Sequence, residues 1–170
     1  MKPALHVVAW GGPGRLATMA HPRGGDRLKD EMAGLAEAGV DVLVSALTPG
    51  EERRLGLLGV ADAAAAAGIE YLSVPIPDRG VPGDVLELGI RLSAHIRAGR
   101  FVVTQCFAGI GRSTLLACVT LLLLGVEAER SLALVAEARG LPVPDNEAQR
   151  VWLLEFAIAN RAPSGGSSRP

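Results

Sequence analysis

The strongest constraint on the fold is an alternation. Short apolar runs are separated by longer stretches with a helical pattern along almost the whole chain. The runs are Leu5 to Trp10, Val40 to Leu47, Ile69 to Val74 and Phe101 to Gln105, with a further short strand over Arg15 to Met19. Between them lie helical patterns over Asp26 to Ala38, Ala61 to Ala67 and Asp84 to Ala98. Thr48-Pro49-Gly50-Glu51 reads as a capping box with proline at the first helical position, so a short helix should follow it. Three more helices are expected: about Arg112 to Gly125, about Ala128 to Arg139, and one capped by Asp145 that reaches Ala159. Gly39, Gly99 and Gly140 follow helix ends, where a left-handed residue is wanted.

Strands alternating with helices in this order form a mostly parallel sheet with helices on both faces. The expectation is a single α/β domain over residues 1–160, followed by a polar, flexible tail over 161–170. In such sheets ligands sit beyond the carboxyl ends of the strands. Two loops leaving such ends carry chemistry: Pro75 to Pro82 and Cys106 to Gly111.

Composition narrows the function classes. A net charge of −1 gives no overall field toward nucleic acid or an anionic membrane. Aromatic residues are 4% of the chain, too few for a base-stacking surface. Two cysteines, Cys106 and Cys118, cannot form a disulfide framework, and the scattered His6, His21 and His95 show no metal-ligand spacing. No metal or organic cofactor is implied. The longest apolar run, Leu115 to Val126, is about a dozen residues, and a membrane span needs about 20. No targeting segment is visible, and a reduced, cytoplasmic location is the expectation.

The segment Gln105-Cys106-Phe107-Ala108-Gly109-Ile110-Gly111-Arg112-Ser113-Thr114 lies between an apolar strand and an apolar helix. Successive backbone N–H groups in a tight loop before a helix make a nest for a tetrahedral oxyanion. Phe107, Ala108, Gly109, Ile110 and Gly111 supply that backbone, and the two glycines permit close approach. Arg112 can fork two oxygens of the same anion. The helix dipole and Arg112 both favour a thiolate on Cys106 at the base of the nest. A thiolate facing a bound phosphate is a nucleophile placed for in-line attack. A bare cysteine with an arginine six positions later is a weak signal; the glycines, the Ser/Thr pair and the strand–helix context make it specific. A Walker A reading fails, because its first glycine would fall at Cys106 and its lysine at Arg112.

This loop resembles the signature of the cysteine-dependent protein phosphatases, and the chain length suits their compact dual-specificity type. Pro75-Ile76-Pro77-Asp78-Arg79-Gly80-Val81-Pro82 is similar to the general-acid loop of that family. Pro142-Val143-Pro144-Asp145-Asn146-Glu147-Ala148-Gln149 resembles the segment that opens the family's late helix. The resemblance implies a two-step reaction in which Cys106 attacks phosphorus, Arg112 and the loop hold the equatorial oxygens, and Asp78 serves as acid and then base. It implies that Ser113 hydrogen-bonds the departing sulfur and that Gln149 orients the water. The implied partner is a phosphorylated protein or a small phosphomonoester, with neither nucleic acid nor membrane.

One departure stands out. The family has histidine before the cysteine; this chain has Gln105, which carries no charge. An unperturbed cysteine is only a few per cent thiolate at neutral pH. A helix N-terminus contributes up to about 2 kcal/mol toward the charged form, and a neighbouring arginine adds to it. The expectation is therefore an active phosphatase whose rate rises toward mildly alkaline pH. The alternative is a phosphate-binding pseudophosphatase, which rests on Gln105 alone. Arsenate reductases and sulfurtransferases use similar loops but need no aspartate acid on an earlier loop. Low-molecular-weight phosphatases place the loop first and the acid after it, the reverse of this order. Cys118 falls within the apolar helix and reads as a small buried hydrophobe; a reversible disulfide with Cys106 is a further option.

Overall fold

The computed structural model describes residues 4–160, so the tail expected over 161–170 lies outside the described residues. Five strands form one sheet in the order β1-β2-β5-β3-β4. They are β1 (His6–Val7), β2 (Arg15–Ala20), β3 (Val42–Ser45), β4 (Glu70–Ser73) and β5 (Phe101–Cys106). β2, β5, β3 and β4 run parallel, and only β1 is antiparallel, against β2. β5 sits between β2 and β3, and all six of its residues are buried. A strand covered on both faces needs an apolar run rather than an alternating one, which is what Phe101-Val-Val provides.

The helices follow the sequence pattern closely. They are α1 (Leu28–Glu37), α2 (Pro49–Arg54), α3 (Val60–Ala66), α4 (Leu86–Arg97), α5 (Arg112–Leu123), α6 (Ala128–Arg139) and α7 (Glu147–Ala159). A 3-10 turn over Gly25–Arg27 leads into α1, so the first helix starts two residues later than Asp26 suggests. The first apolar run pairs over only two residues, because β1 is an edge strand that bonds β2 alone. Two apolar clusters cover the sheet. One joins α1 and α3 to Val103, Leu43 and Met19. The other joins α4, α5, α6 and α7 to Val102, Val44 and Leu16. α5 is buried over its first ten residues, so the run read as a core helix is one. Among the described residues no helix is long and apolar enough to cross a membrane.

Candidate active site

Parallel strands end on the same edge of a sheet, and three of them deliver the site. β3 leads to Thr48 and α2, β4 to the Pro75–Pro82 loop, and β5 to the cysteine loop. The capping box forms as expected. Glu51 N donates to Thr48 Oγ1 at 3.3 Å, and Thr48 N donates to Glu51 Oε1 at 3.0 Å. Glu51 thereby stands fixed on the first turn of α2, at the strand edge where β5 also ends.

Cys106 is the last residue of β5 and is buried, with its Sγ 3.2 Å from Ser113 Oγ. Thr104 Oγ1 donates to Ser113 O at 2.8 Å and fixes the first turn of α5 against the strand. Among the described residues no backbone N–H from Phe107 to Arg112 donates to a protein acceptor. All six are free to donate to a bound anion, the nest that the sequence pattern demanded. Gly109 has φ +72°, and a Cβ there would lie 2.8 Å from the backbone of Met19 and Ala20. A Cβ on Gly111 would overlap the Asp145 carboxylate. Outside the loop, Arg139 Nε donates to Gly109 O at 3.2 Å and Nη2 to Ala108 O at 3.3 Å. A trans peptide sets N–H opposite C=O, so the N–H groups of Gly109 and Ile110 point away from Arg139. Phe107 is 46% exposed, its ring centroid 5.1 Å from that of His21. Ala108 is exposed and Ile110 half-buried.

Arg112 is only 2% exposed and meets a carboxylate face to face. Nη1 donates to Glu51 Oε1 at 2.7 Å and Nη2 to Glu51 Oε2 at 2.9 Å. Nη1 also donates to Ile76 O at 2.9 Å, and Nη2 reaches Asp78 Oδ1 at 3.4 Å. The hydrogen bonds from Arg112 hold the Glu51 carboxyl down to about 2, against burial that would raise it. Burial alone would lower the pKa of Arg112, but the bonds and charge of Glu51, with the charges of Cys106 and Asp78, together offset this and the net shift is upward. A guanidinium has five N–H donors. Among the described residues Nε–H has no acceptor, and Asp78 takes the second hydrogen of Nη2. If the Asp78 carboxylate turns away, Nε and Nη2 form a fork for two oxygens of one anion.

Asp78 contrasts with Arg112 in exposure: its side chain is 70% exposed. It occupies the second position of a turn closed by Gly80 N donating to Pro77 O at 2.7 Å. Gln149 is fully buried, and both ends of its amide are engaged. Its Oε1 accepts from Asp145 N at 3.0 Å, and its Nε2 donates to Gly80 O at 3.0 Å. The cap of α7 is Asn146, not Asp145: Asn146 Oδ1 accepts from Gln149 N at 2.9 Å. Asn146 Nδ2 donates to Arg79 O at 3.0 Å.

Gln105 is fully buried, and neither end of its amide has a partner among the described residues. Successive strand residues face opposite sides of a sheet. Cys106 joins the cluster with Leu115 and Leu116, so Gln105 points to the other face, where Val103 and Phe101 pack with α1 and α3. Cys118 is buried in α5, and burial pushes its thiol well up.

The site thus gathers Cys106, Arg112, Ser113, Asp78 and Gln149 at one sheet edge. It adds Glu51, Arg139 and Asn146, which the sequence reading did not assign to it. A buried cysteine below free loop amides, an arginine beside it and an aspartate from an earlier loop are the arrangement expected of a cysteine-dependent phosphatase. The family model for the polymorphic toxin system DSP-PTPase phosphatases matches residues 17–125, and the chain belongs to that family. That span runs from β2 through α5 and holds Glu51, Asp78, Cys106 and Arg112.

Solved structures agree on the fold. The chain is similar to kinase-associated phosphatase with its catalytic-site cysteine replaced by serine. The two share 21% identity over 96% of this chain and 98% of that one, with a TM-score of 0.85. It is similar to Tk-PTP in the active form at 23% identity, over 89% and 99% of the two chains, with a TM-score of 0.72. It is also similar to a protein tyrosine phosphatase assigned as putative from Leishmania major, at 21% identity over 89% and 97%, with a TM-score of 0.71. No curated protein sequence matches the chain.

Proposed function

We propose that the protein hydrolyses phosphomonoesters through a phosphocysteine intermediate, and that its substrates are phosphorylated side chains of proteins. The observation that carries this reading is the placement of Cys106 at the base of six free loop N–H groups, beside a buried Arg112. A phosphoryl group seated in the nest takes hydrogen bonds from the backbone of Phe107 to Gly111 and from the Nε/Nη2 fork of Arg112. The Cys106 thiolate attacks phosphorus, and the bond to the leaving oxygen breaks. Asp78, released from Arg112 by the incoming anion and acting from its protonated form, gives its proton to that oxygen. In the second step water attacks phosphorus, the S–P bond breaks, and Asp78 takes the proton from the water. Ser113 Oγ donates to the departing sulfur, consistent with its 3.2 Å separation. The second Nε2 hydrogen of Gln149 remains to orient the water. No metal or organic cofactor enters these steps.

The exposed Phe107 at the mouth of the nest supports a protein or aryl substrate over a polyanionic one. Between Cys106 and Arg112 there is no basic residue to meet extra phosphates. The binding-only alternative rests on Gln105. Its side chain points away from Cys106 across the sheet, so the nucleophile keeps its own surroundings.

Hydrolysis of an aryl phosphate by wild type, Cys106→Ser and Asp78→Asn tests the reading. Turnover by wild type and loss in Cys106→Ser is the expected result. No turnover by folded wild type between about pH 5 and 9 would overturn the enzyme reading, and turnover surviving Cys106→Ser would overturn the mechanism. A phosphopeptide, lipid and nucleotide panel then separates substrate classes.

A further inference from the structure

The geometry points to Asn146 as a positioning residue for the general acid: its side-chain amide, bonded to Arg79 O, holds the turn that aims Asp78 at the nest. This rests on the reading of Asp78 as the acid. The Asp78 side chain is largely exposed, and among the described residues its one side-chain bond is the 3.4 Å contact to Arg112. Its aim must therefore come from the backbone. Upstream, Ile76 N donates to Ala46 O at 3.0 Å, and Ile76 O accepts from Arg112. That pins the entry to the loop. Downstream, Arg79 has φ +62°, a left-handed conformation that is strained in a residue other than glycine. Such a conformation persists only where the surroundings enforce it. The carbonyls of Arg79 and Gly80 face α7 and accept from Asn146 Nδ2 and Gln149 Nε2, each at 3.0 Å.

α7 is the fixed side of this contact. Gln149 is fully buried, and its Oε1 ties down Asp145 N. Asn146 is half-buried and does two separable jobs with one side chain. Oδ1 caps α7 and Nδ2 clamps the turn. A serine keeps a capping oxygen but has no amide to reach Arg79 O. Asn146→Ser therefore removes the clamp and spares the helix.

The readout is leaving-group dependence. A poor leaving group needs the acid and a good one hardly does. Wild type, Asn146→Ser, Asp78→Asn and the double variant are compared on phenyl phosphate and on 2,4-dinitrophenyl phosphate. The expected result for Asn146→Ser is a fall in kcat/KM of roughly 10- to 100-fold on phenyl phosphate; kcat/KM reads the transfer to Cys106 and not the later hydrolysis that both esters share. On the dinitrophenyl ester the fall stays within about 3-fold, and the double variant matches Asp78→Asn alone. Equal losses on both esters would mean a structural role and would overturn the proposal. So would wild-type rates on phenyl phosphate, or losses that add to those of Asp78→Asn. Failure of wild type to turn over either ester overturns the phosphatase reading instead, and this inference with it. A fall in urea midpoint leaves the leaving-group comparison intact, because both esters see the same folded fraction.

Discussion

The cysteine loop and the Pro75–Pro82 loop meet at Arg112 but are built in opposite ways. The cysteine loop is held by what flanks it in sequence: the central strand β5 on one side and the buried helix α5 on the other. Its functional groups are mostly backbone amides, and its one charged side chain is buried against Glu51. The Pro75–Pro82 loop ends an outer strand, carries an exposed carboxylate, and is fixed by side chains reaching from α7. On the proposed mechanism the anion cradle is made from the most buried part of the fold, and the group that has to leave Arg112 for a substrate oxygen is the exposed one.

That contrast can be broken experimentally. Arg112→Lys should have the largest effect, because a point charge replaces a fork and the Glu51 pairing is lost together with it. We expect roughly a 100- to 1,000-fold loss in kcat/KM on esters with good and poor leaving groups alike, measured by steady-state kinetics. A loss confined to poor leaving groups would erase the distinction between the two loops. Glu51→Gln comes next. Breaking a buried pair by removing one partner costs about 3 to 5 kcal/mol, and urea unfolding should report a loss of that order. An unchanged urea midpoint would show that the pair does not support the cradle.

The same pair sets an acid limit. The carboxyl of Glu51 lies at about 2 in the folded protein against an ordinary 4.5, so its folded form is depressed. Its contribution to stability is complete above about pH 4.5 and is lost as pH falls toward 2. Unfolding midpoints measured across that window should fall in wild type and fall less in Glu51→Gln. The smallest effect is expected at Gln105. A buried amide without partners costs on the order of 1 to 3 kcal/mol, and an apolar replacement of similar shape removes that cost. Gln105→Met should raise stability by about 1 kcal/mol and change kcat by less than about 3-fold, since the side chain faces away from Cys106. A large fall in kcat would mean that the strand transmits the change to the nucleophile.

The cysteine loop was legible in the sequence because its chemistry is local. Six consecutive residues supply the amides, and strand, glycines and helix announce the turn. The parallel sheet was legible for the same reason, from the apolar runs. Glu51 was seen only as a cap. The capping box already accounted for its carboxylate, and its second partner lies 61 residues away. The signal that would have found it is the need of a buried arginine for an anion, combined with the rule that parallel strands end together. The cap of α7 was placed one residue early because Asp145 and Asn146 are both competent caps and only the backbone decides between them. In the sequence Gln149 carries a role only through the family resemblance; its burial depends on how α7 lies against Gly80, which no local pattern encodes.

The pairing of Glu51 with Arg112 also ties the state of the site to the state of the sheet. The carboxylate sits on the first turn of α2 and the guanidinium on the first turn of α5, 61 residues further along the chain. The two groups meet only because β3 and β5 lie side by side and end on the same edge. A chain whose strands pair in any other order leaves these two charges apart, so a correct sheet and a complete cradle are one condition.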